Sequence, residues 1–285
     1  MKNHFFLLLF GSFAAVSSVS HAALFSADFS GLAANDPLVP NVGGAYGGWT
    51  QNELNAQDVD GEYPLAYGHA IETAPGVFSD GVAVGAYNAI PTADTFHIDH
   101  AFGGALVGTT ISLSFALDDP AAGMGYPQNT FEIGAYSSTG NLFSFVAGAT
   151  SDPAVWNMYY RIGSGSNQSV SSNFALALGQ IASMTLSFTG SGADALFNLS
   201  VTGLRDSNNQ LVTVTKDGTM TRMATETFDD FRVSMLKVPG TTPGDVDSYG
   251  TNFIAIADLQ VVPEPGSAAL LGLAAGAVML RRRRA

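Results

Sequence analysis

Apolar and hydroxylated positions alternate along much of this chain. Ile111, Leu113, Phe115 and Leu117 are interleaved with Ser112, Ser114 and Ala116, and Met184, Leu186 and Phe188 with Thr185, Ser187 and Thr189. A period of two sends one set to a buried face and the other toward water, so each run predicts a half-buried β-strand. The same pattern covers Phe197-Leu199-Val201, Val212-Val214, Phe231-Val233-Met235 and Phe253-Ala255-Ala257-Leu259, with Asn, Ser, Thr or Arg on the outward positions. Turn-forming clusters separate the runs, among them Ser137-Ser138-Thr139-Gly140-Asn141 and Asp206-Ser207-Asn208-Asn209. No segment between residues 23 and 260 keeps a 3.6-residue period over three turns; Ala175 to Ile181 allows one short helical turn. The pattern predicts an all-β protein, a sandwich or barrel of antiparallel sheets, with 23–260 as one domain. Only Ala33 to Gly81 has a weak strand pattern, and it reads as a long loop region.

Composition narrows the compartment and the partners. Of 285 residues only 12% are charged, against roughly 25% in an average soluble protein, so Ser, Thr, Asn, Gln and Gly must cover the surface. The 32 glycines suit a chain of many tight turns. There is no cysteine, which excludes both a disulfide framework and a thiolate metal site. The two ends differ from everything between them. Lys2, the apolar stretch from Phe5 to Phe10 and the small residues Val19-Ser20-His21-Ala22 form a secretory signal peptide over 1–22, with cleavage between Ala22 and Ala23. At the other end, Ser267 to Leu280 is apolar for about fourteen residues, about 21 Å as a helix against about 30 Å of bilayer hydrocarbon, and Arg281, Arg282, Arg283 and Arg284 close it. Those arginines would stay on the cytoplasmic side and anchor the chain transiently during export. Without Lys2 and the terminal arginines, six basic residues remain against 24 acidic ones, 6 − 24 = −18. Nucleic acid, which needs clustered Lys and Arg, is excluded as a partner; neutral glycans and divalent cations fit.

Val262-Pro263-Glu264-Pro265-Gly266, the apolar segment and the arginine cluster together resemble the PEP-CTERM sorting signal, here 261–285. The resemblance implies that a membrane transpeptidase of the exosortase type reads Pro263, Glu264 and Pro265, removes the tail and delivers the protein to the cell surface or extracellular matrix. It also implies a bacterial host that exports polysaccharide.

A second resemblance covers the domain. Phe25-Ser26-Ala27-Asp28-Phe29-Ser30-Gly31, Gly140-Asn141-Leu142-Phe143-Ser144-Phe145 with Trp156-Asn157-Met158-Tyr159-Tyr160, and Phe228-Asp229-Asp230-Phe231-Arg232-Val233 look like pieces of concanavalin A-like jelly rolls of the lectin or laminin-G type. Such a scaffold implies glycan binding, glycan cleavage or a purely structural coat role without selecting among them.

Candidate chemistry is sparse. Paired carboxylates for glycoside cleavage belong one residue apart on a strand, and the Glu-x-Asp-x-x-Glu strand of jelly-roll glucanases is missing. Asp58, Asp60 and Glu62 have alternating spacing but sit among loop-forming residues. In His97-Ile98-Asp99-His100, His97 and Asp99 share a strand face and His100 takes the other, so the two imidazoles do not meet at one metal. No Gly-x-Ser-x-Gly elbow is present. The expectation is a non-enzymatic protein associated with exopolysaccharide; the alternative is a polysaccharide hydrolase or lyase on the same scaffold. Tyr46, Trp49, Tyr63 and Tyr67 are the candidate sugar-stacking rings, with a cap over the core as the other reading of them. Trp156, Tyr159 and Tyr160 read as core. Asp28 and Asp229 are candidate ligands of a structural calcium, on the expectation that the first and last strands lie side by side; Asp230 is then solvated or paired with Arg. The other reading of these carboxylates is strand-end and turn residues with no ion.

Overall fold

The computed structural model describes residues 25–27, 48–51, 64–68, 81–86, 94–118, 130–149, 155–175, 180–237 and 252–263. They form fifteen strands and no helix: β1 (Phe25–Ser26), β2 (Trp49–Gln51), β3 (Pro64–Gly68), β4 (Gly81–Ala86), β5 (Asp94–Ala105), β6 (Thr109–Asp118), β7 (Thr130–Ser137), β8 (Gly140–Ala149), β9 (Val155–Ile162), β10 (Gln168–Ala175), β11 (Ala182–Ser191), β12 (Asp194–Arg205), β13 (Leu211–Met220), β14 (Thr227–Lys237) and β15 (Asn252–Pro263). Every pairing is antiparallel. One run of neighbours is β2-β5-β14-β7-β8-β9-β10, and the other is β12-β11-β6-β15-β4-β3, with β13 on β12 and β1 on β15. Among the described residues the two runs are paired to each other at Ala175↔Arg205.

They pack face to face as a sandwich. Phe145 of β8 lies 5.8 Å from Phe115 of β6, and Phe143 lies 5.8 Å from Phe188 of β11 and 4.8 Å from Phe197 of β12. These rings, with Ile111, Leu113, Met184, Leu186, Leu199 and Val201, are buried, as the alternation predicts. Two antiparallel sheets on one core are consistent with a jelly-roll sandwich.

Three departures from the sequence pattern have physical causes. In β15 the large core residues are Ile254 and Ile256 before Asp258 and Leu259 and Val261 after it, so one parity does not run through the strand, although Ala255 and Ala257 are buried as well. Asp258 adopts φ 54° at a register shift between Ala257 and Gln260, and the extra residue switches the parity of the strand. The same strand continues past residue 260: Val261 is buried opposite Ile111, and Pro263 pairs with Thr109. Within the presumed loop region, β2 and β3 add to the outermost strands of the two runs. They are three and five residues long, too short for a two-residue period to stand out.

The outer face of the second sheet is lined by hydroxyls. Thr215, Ser200, Thr185 and Ser112 lie side by side across β13, β12, β11 and β6, and Gln260 of β15 continues the row. Asn198, Ser187 and Thr110 run parallel to it, with Asp217 at the end of their row.

Candidate functional site

The outer face of the first sheet is built differently. Glu132, Gly134 and Tyr136 of β7 alternate with the buried Phe131, Ile133 and Ala135 and therefore point away from the core. Register places Asp99, Arg232, Gly134, Ser144 and Arg161 in one row across β5, β14, β7, β8 and β9. A second row holds His97, Ser234, Glu132, Val146 and Tyr159.

One ion pair joins the two rows and a second lies within the first. Arg161 donates from Nη2 to both oxygens of Glu132 at 2.5 and 2.6 Å. Arg232 forks onto Asp99, with Nε to Oδ1 at 2.6 Å and Nη2 to Oδ2 at 3.1 Å, and His97 Nε2 lies 3.2 Å from the same carboxylate. Tyr136 joins the pairs. Its hydroxyl donates to Glu132 at 2.6 Å, and the Arg232 guanidinium sits 4.3 Å above its ring. The single Ser144 hydroxyl proton is shared between Glu132 Oε1 and Asn141 Oδ1. Glu132 thus gathers Tyr136, Ser144 and Arg161 at Oε1 and Arg161 again at Oε2.

Gly134 makes this possible. A Cβ there would stand 2.8 Å from the Phe143 carbonyl oxygen, 2.8 Å from Ser144 Oγ and 2.9 Å from Tyr136 Cε2. The tyrosine ring lies along its own strand over the glycine and reaches Glu132, four residues back.

Burial, the Glu132 charge and its hydrogen bond push the Tyr136 phenol up to about 12. Burial also holds His97 below its ordinary value, against the pull of Asp99, and raises Asp230, with the Asp99 charge adding to the rise. Because the folded phenol holds its proton more tightly than the unfolded one, its contribution is fully present below pH 10 and is lost as pH rises toward 12. We expect alkaline unfolding to remove about 2 kcal/mol across that window in the unmutated chain and not in Tyr136→Phe; denaturant midpoints at stepped pH measure it.

The residues singled out in the sequence are placed elsewhere. Trp49 is 2% exposed, opposite His100 in the β2–β5 ladder, and its ring meets His100 at 5.3 Å and Phe231 at 6.2 Å. It is a core ring and offers no face to a sugar, because a large aromatic on an edge strand gains most by covering the sheet interior. Tyr67 lies on β3 of the other sheet. Tyr46, Tyr63, Asp58, Asp60 and Glu62 fall outside the described residues, as do Ala22, Ala23, Glu264, Pro265 and Arg281 to Arg284. So does Asp28. The strand before it pairs with β15, whereas Asp229 lies on β14, whose neighbours are β5 and β7, so the ladder does not supply the expected adjacency of the two aspartates. Among the described residues the last strand is β15, not the Phe228 strand. Phe228 and Phe231, three apart, both enter the core across a bulge, and Asp229 accepts the Ser138 N–H of the β7–β8 turn at 2.6 Å. Among the described residues no three His, Asp or Glu side chains are grouped to hold a metal.

His97 and Asp99 do share the outer face, while His100 packs against Trp49 on the inner one. Trp156 is buried and Tyr160 stacks on Phe143 at 6.0 Å, both as core; Tyr159 takes the outer face beside Val146. Glu132, Tyr136, Ser144 and Arg161 were missed, although parity against Phe131-Ile133-Ala135 and Phe143-Phe145 marks the first three as outward.

No family model and no curated protein matches the chain. Similar solved structures include the alginate lyase from Klebsiella pneumoniae (TM-score 0.47, 11% identity, 76% of this chain and 96% of that one). Lectin II from Ulex europaeus is similar at TM-score 0.46 and 7% identity, over 85% of this chain and 99% of that one. The PL-14 alginate lyase from Aplysia kurodai follows at 0.42 and 10%, over 85% and 99%. At these values the assignment of an antiparallel β-sandwich rests on the strand pairing and core packing of the chain itself.

Proposed function

We propose that this chain is an exported surface or matrix protein, delivered through a PEP-CTERM tail, that binds polysaccharide on the outer face of its first sheet without cleaving it. The observation that carries the reading is the five-strand polar face from Asp99 to Arg161. Its donors and acceptors are fixed by one another before any ligand arrives, so little side-chain freedom is lost on binding. Tyr159 adds an aromatic ring to the same face. Glu132 is committed to the Arg161 ion pair and to the Tyr136 hydroxyl, which disfavours its use as a free general acid or base in glycoside hydrolysis. The two chain ends support the export half of the reading.

A lyase is the second reading. His97, uncharged at neutral pH, and the protonated Tyr136 flank Arg232 on one face, and a base, an acid and a cation are what abstraction of a proton beside a carboxylate requires.

Protein purified from the surface of its native host decides between them. Mass spectrometry is expected to show a chain ending before Arg281, and a glycan array a positive signal without shortening of the bound polymer. An intact arginine cluster would replace sorting by permanent anchoring. New unsaturated chain ends would establish the lyase.

A further inference from the structure

The charges of the first sheet's outer face decide what kind of polysaccharide it can take. We propose that the face selects neutral glycans and rejects carboxylated ones; this rests on the polysaccharide-binding reading above and narrows it. Both guanidiniums are already held by carboxylates, Arg161 by Glu132 and Arg232 by Asp99, in charge-assisted contacts of 2.5 to 3.1 Å. A ligand carboxylate could reach either arginine only by displacing its partner, and the displaced Glu132 or Asp99, with side chains 15% and 17% exposed, would be left unpaired. The face also carries an excess of negative charge. Asp99, Glu132 and Asp230 stand against Arg161 and Arg232, and His97 adds nothing, since burial keeps its imidazole neutral at pH 7. With a net charge of −13 on the whole chain, the field at this face opposes the approach of a polyanion.

A neutral sugar meets no such barrier. Its hydroxyls both donate and accept. They can accept from Nη1 of Arg161 and of Arg232, which stand outside the two ion pairs, and donate to Asp230 on the same face. The Tyr159 ring offers an apolar surface to the C–H face of a pyranose two strands from Glu132.

Affinity electrophoresis of the exported chain tests this. Gels contain a neutral polymer (hydroxyethylcellulose, dextran, laminarin or galactomannan) or an acidic one (carboxymethylcellulose, alginate or polygalacturonate). Migration is expected to be retarded by at least one neutral polymer and by none of the acidic ones. Tyr159→Ala should weaken the neutral interaction about tenfold or more. Glu132→Gln keeps the shape of the side chain and releases Arg161 from its counter-charge, so it should gain retardation by an acidic polymer, about tenfold over the unmutated chain; Asp99→Asn should do the same through Arg232. Retardation of the unmutated chain by acidic polymers would overturn the selectivity while leaving polysaccharide binding in place. Neutral retardation unchanged by Tyr159→Ala, with no gain in either amide variant, would move binding off this face and overturn the proposal. Retardation by none of the seven polymers would overturn the polysaccharide reading itself.

Discussion

Phe143→Ala is expected to destabilise the sandwich by about 3–5 kcal/mol, the largest effect of any single truncation considered for this chain. The ring is 0% exposed and belongs to no single pair of strands. It stacks on Tyr160 at 6.0 Å within its own sheet and meets Phe188 and Phe197 of the facing sheet at 5.8 and 4.8 Å. Truncation removes the buried area of the ring and leaves a void that three strands, each held by hydrogen bonds on both sides, cannot close. The check is a denaturant titration of the exported chain, with Phe143→Leu as control. Leucine refills much of the volume, so its midpoint should lie between those of the alanine variant and the unmutated chain. An alanine variant within about 1 kcal/mol of the unmutated chain would mean that the two sheets do not meet at this ring.

Gly134→Val should cost about 3 kcal/mol and disturb the polar face at the same time. Its Cβ would fall 2.8 Å from the Phe143 carbonyl oxygen, a backbone atom of the paired strand that cannot swing aside, and 2.9 Å from Tyr136 Cε2, which can. The ring would therefore be lifted from the strand and its hydroxyl drawn from Glu132, with loss of the stack under Arg232. Two readouts follow from one substitution. The denaturant midpoint falls, and the phenol titrates closer to pH 10 because it loses both its burial and the Glu132 carboxylate. A variant that loses stability but leaves the high phenol titration in place would show that Tyr136 does not depend on the glycine for its position.

The strands in the core were legible because their period is strict. Ile111, Leu113 and Phe115, like Met184, Leu186 and Phe188, alternate without interruption and enter the core as a two-residue repeat requires. Legibility failed where an extra residue breaks the period. Asp258 shifts β15 by one position, and the Phe228–Phe231 spacing hides a bulge. At Trp49 the sequence leaves a sugar-stacking ring and a cap over the core both open, and burial decides for the core, because an aromatic in a loop-like stretch gives no sign of whether a short edge strand will turn it inward. The polar face was harder still. Glu132, Arg161, Arg232 and Asp99 come from four strands, and Arg232 and Asp99 are 133 positions apart, so their meeting is a property of strand order. Parity says that each points outward; only topology says that they converge.

The hydroxyl rows of the second sheet bear on how such a protein behaves when crowded. Repulsion between copies of an acidic chain fades over about 8 Å in physiological salt and weakens further as salt rises or as pH falls toward the carboxylate range. The hydroxyls of Thr215, Ser200, Thr185 and Ser112 carry no charge to be screened and do not titrate in that range. That face therefore stays wetted at ionic strengths that silence the chain's electrostatics, and it gives the acidic chain a colloidal stability independent of its counterions.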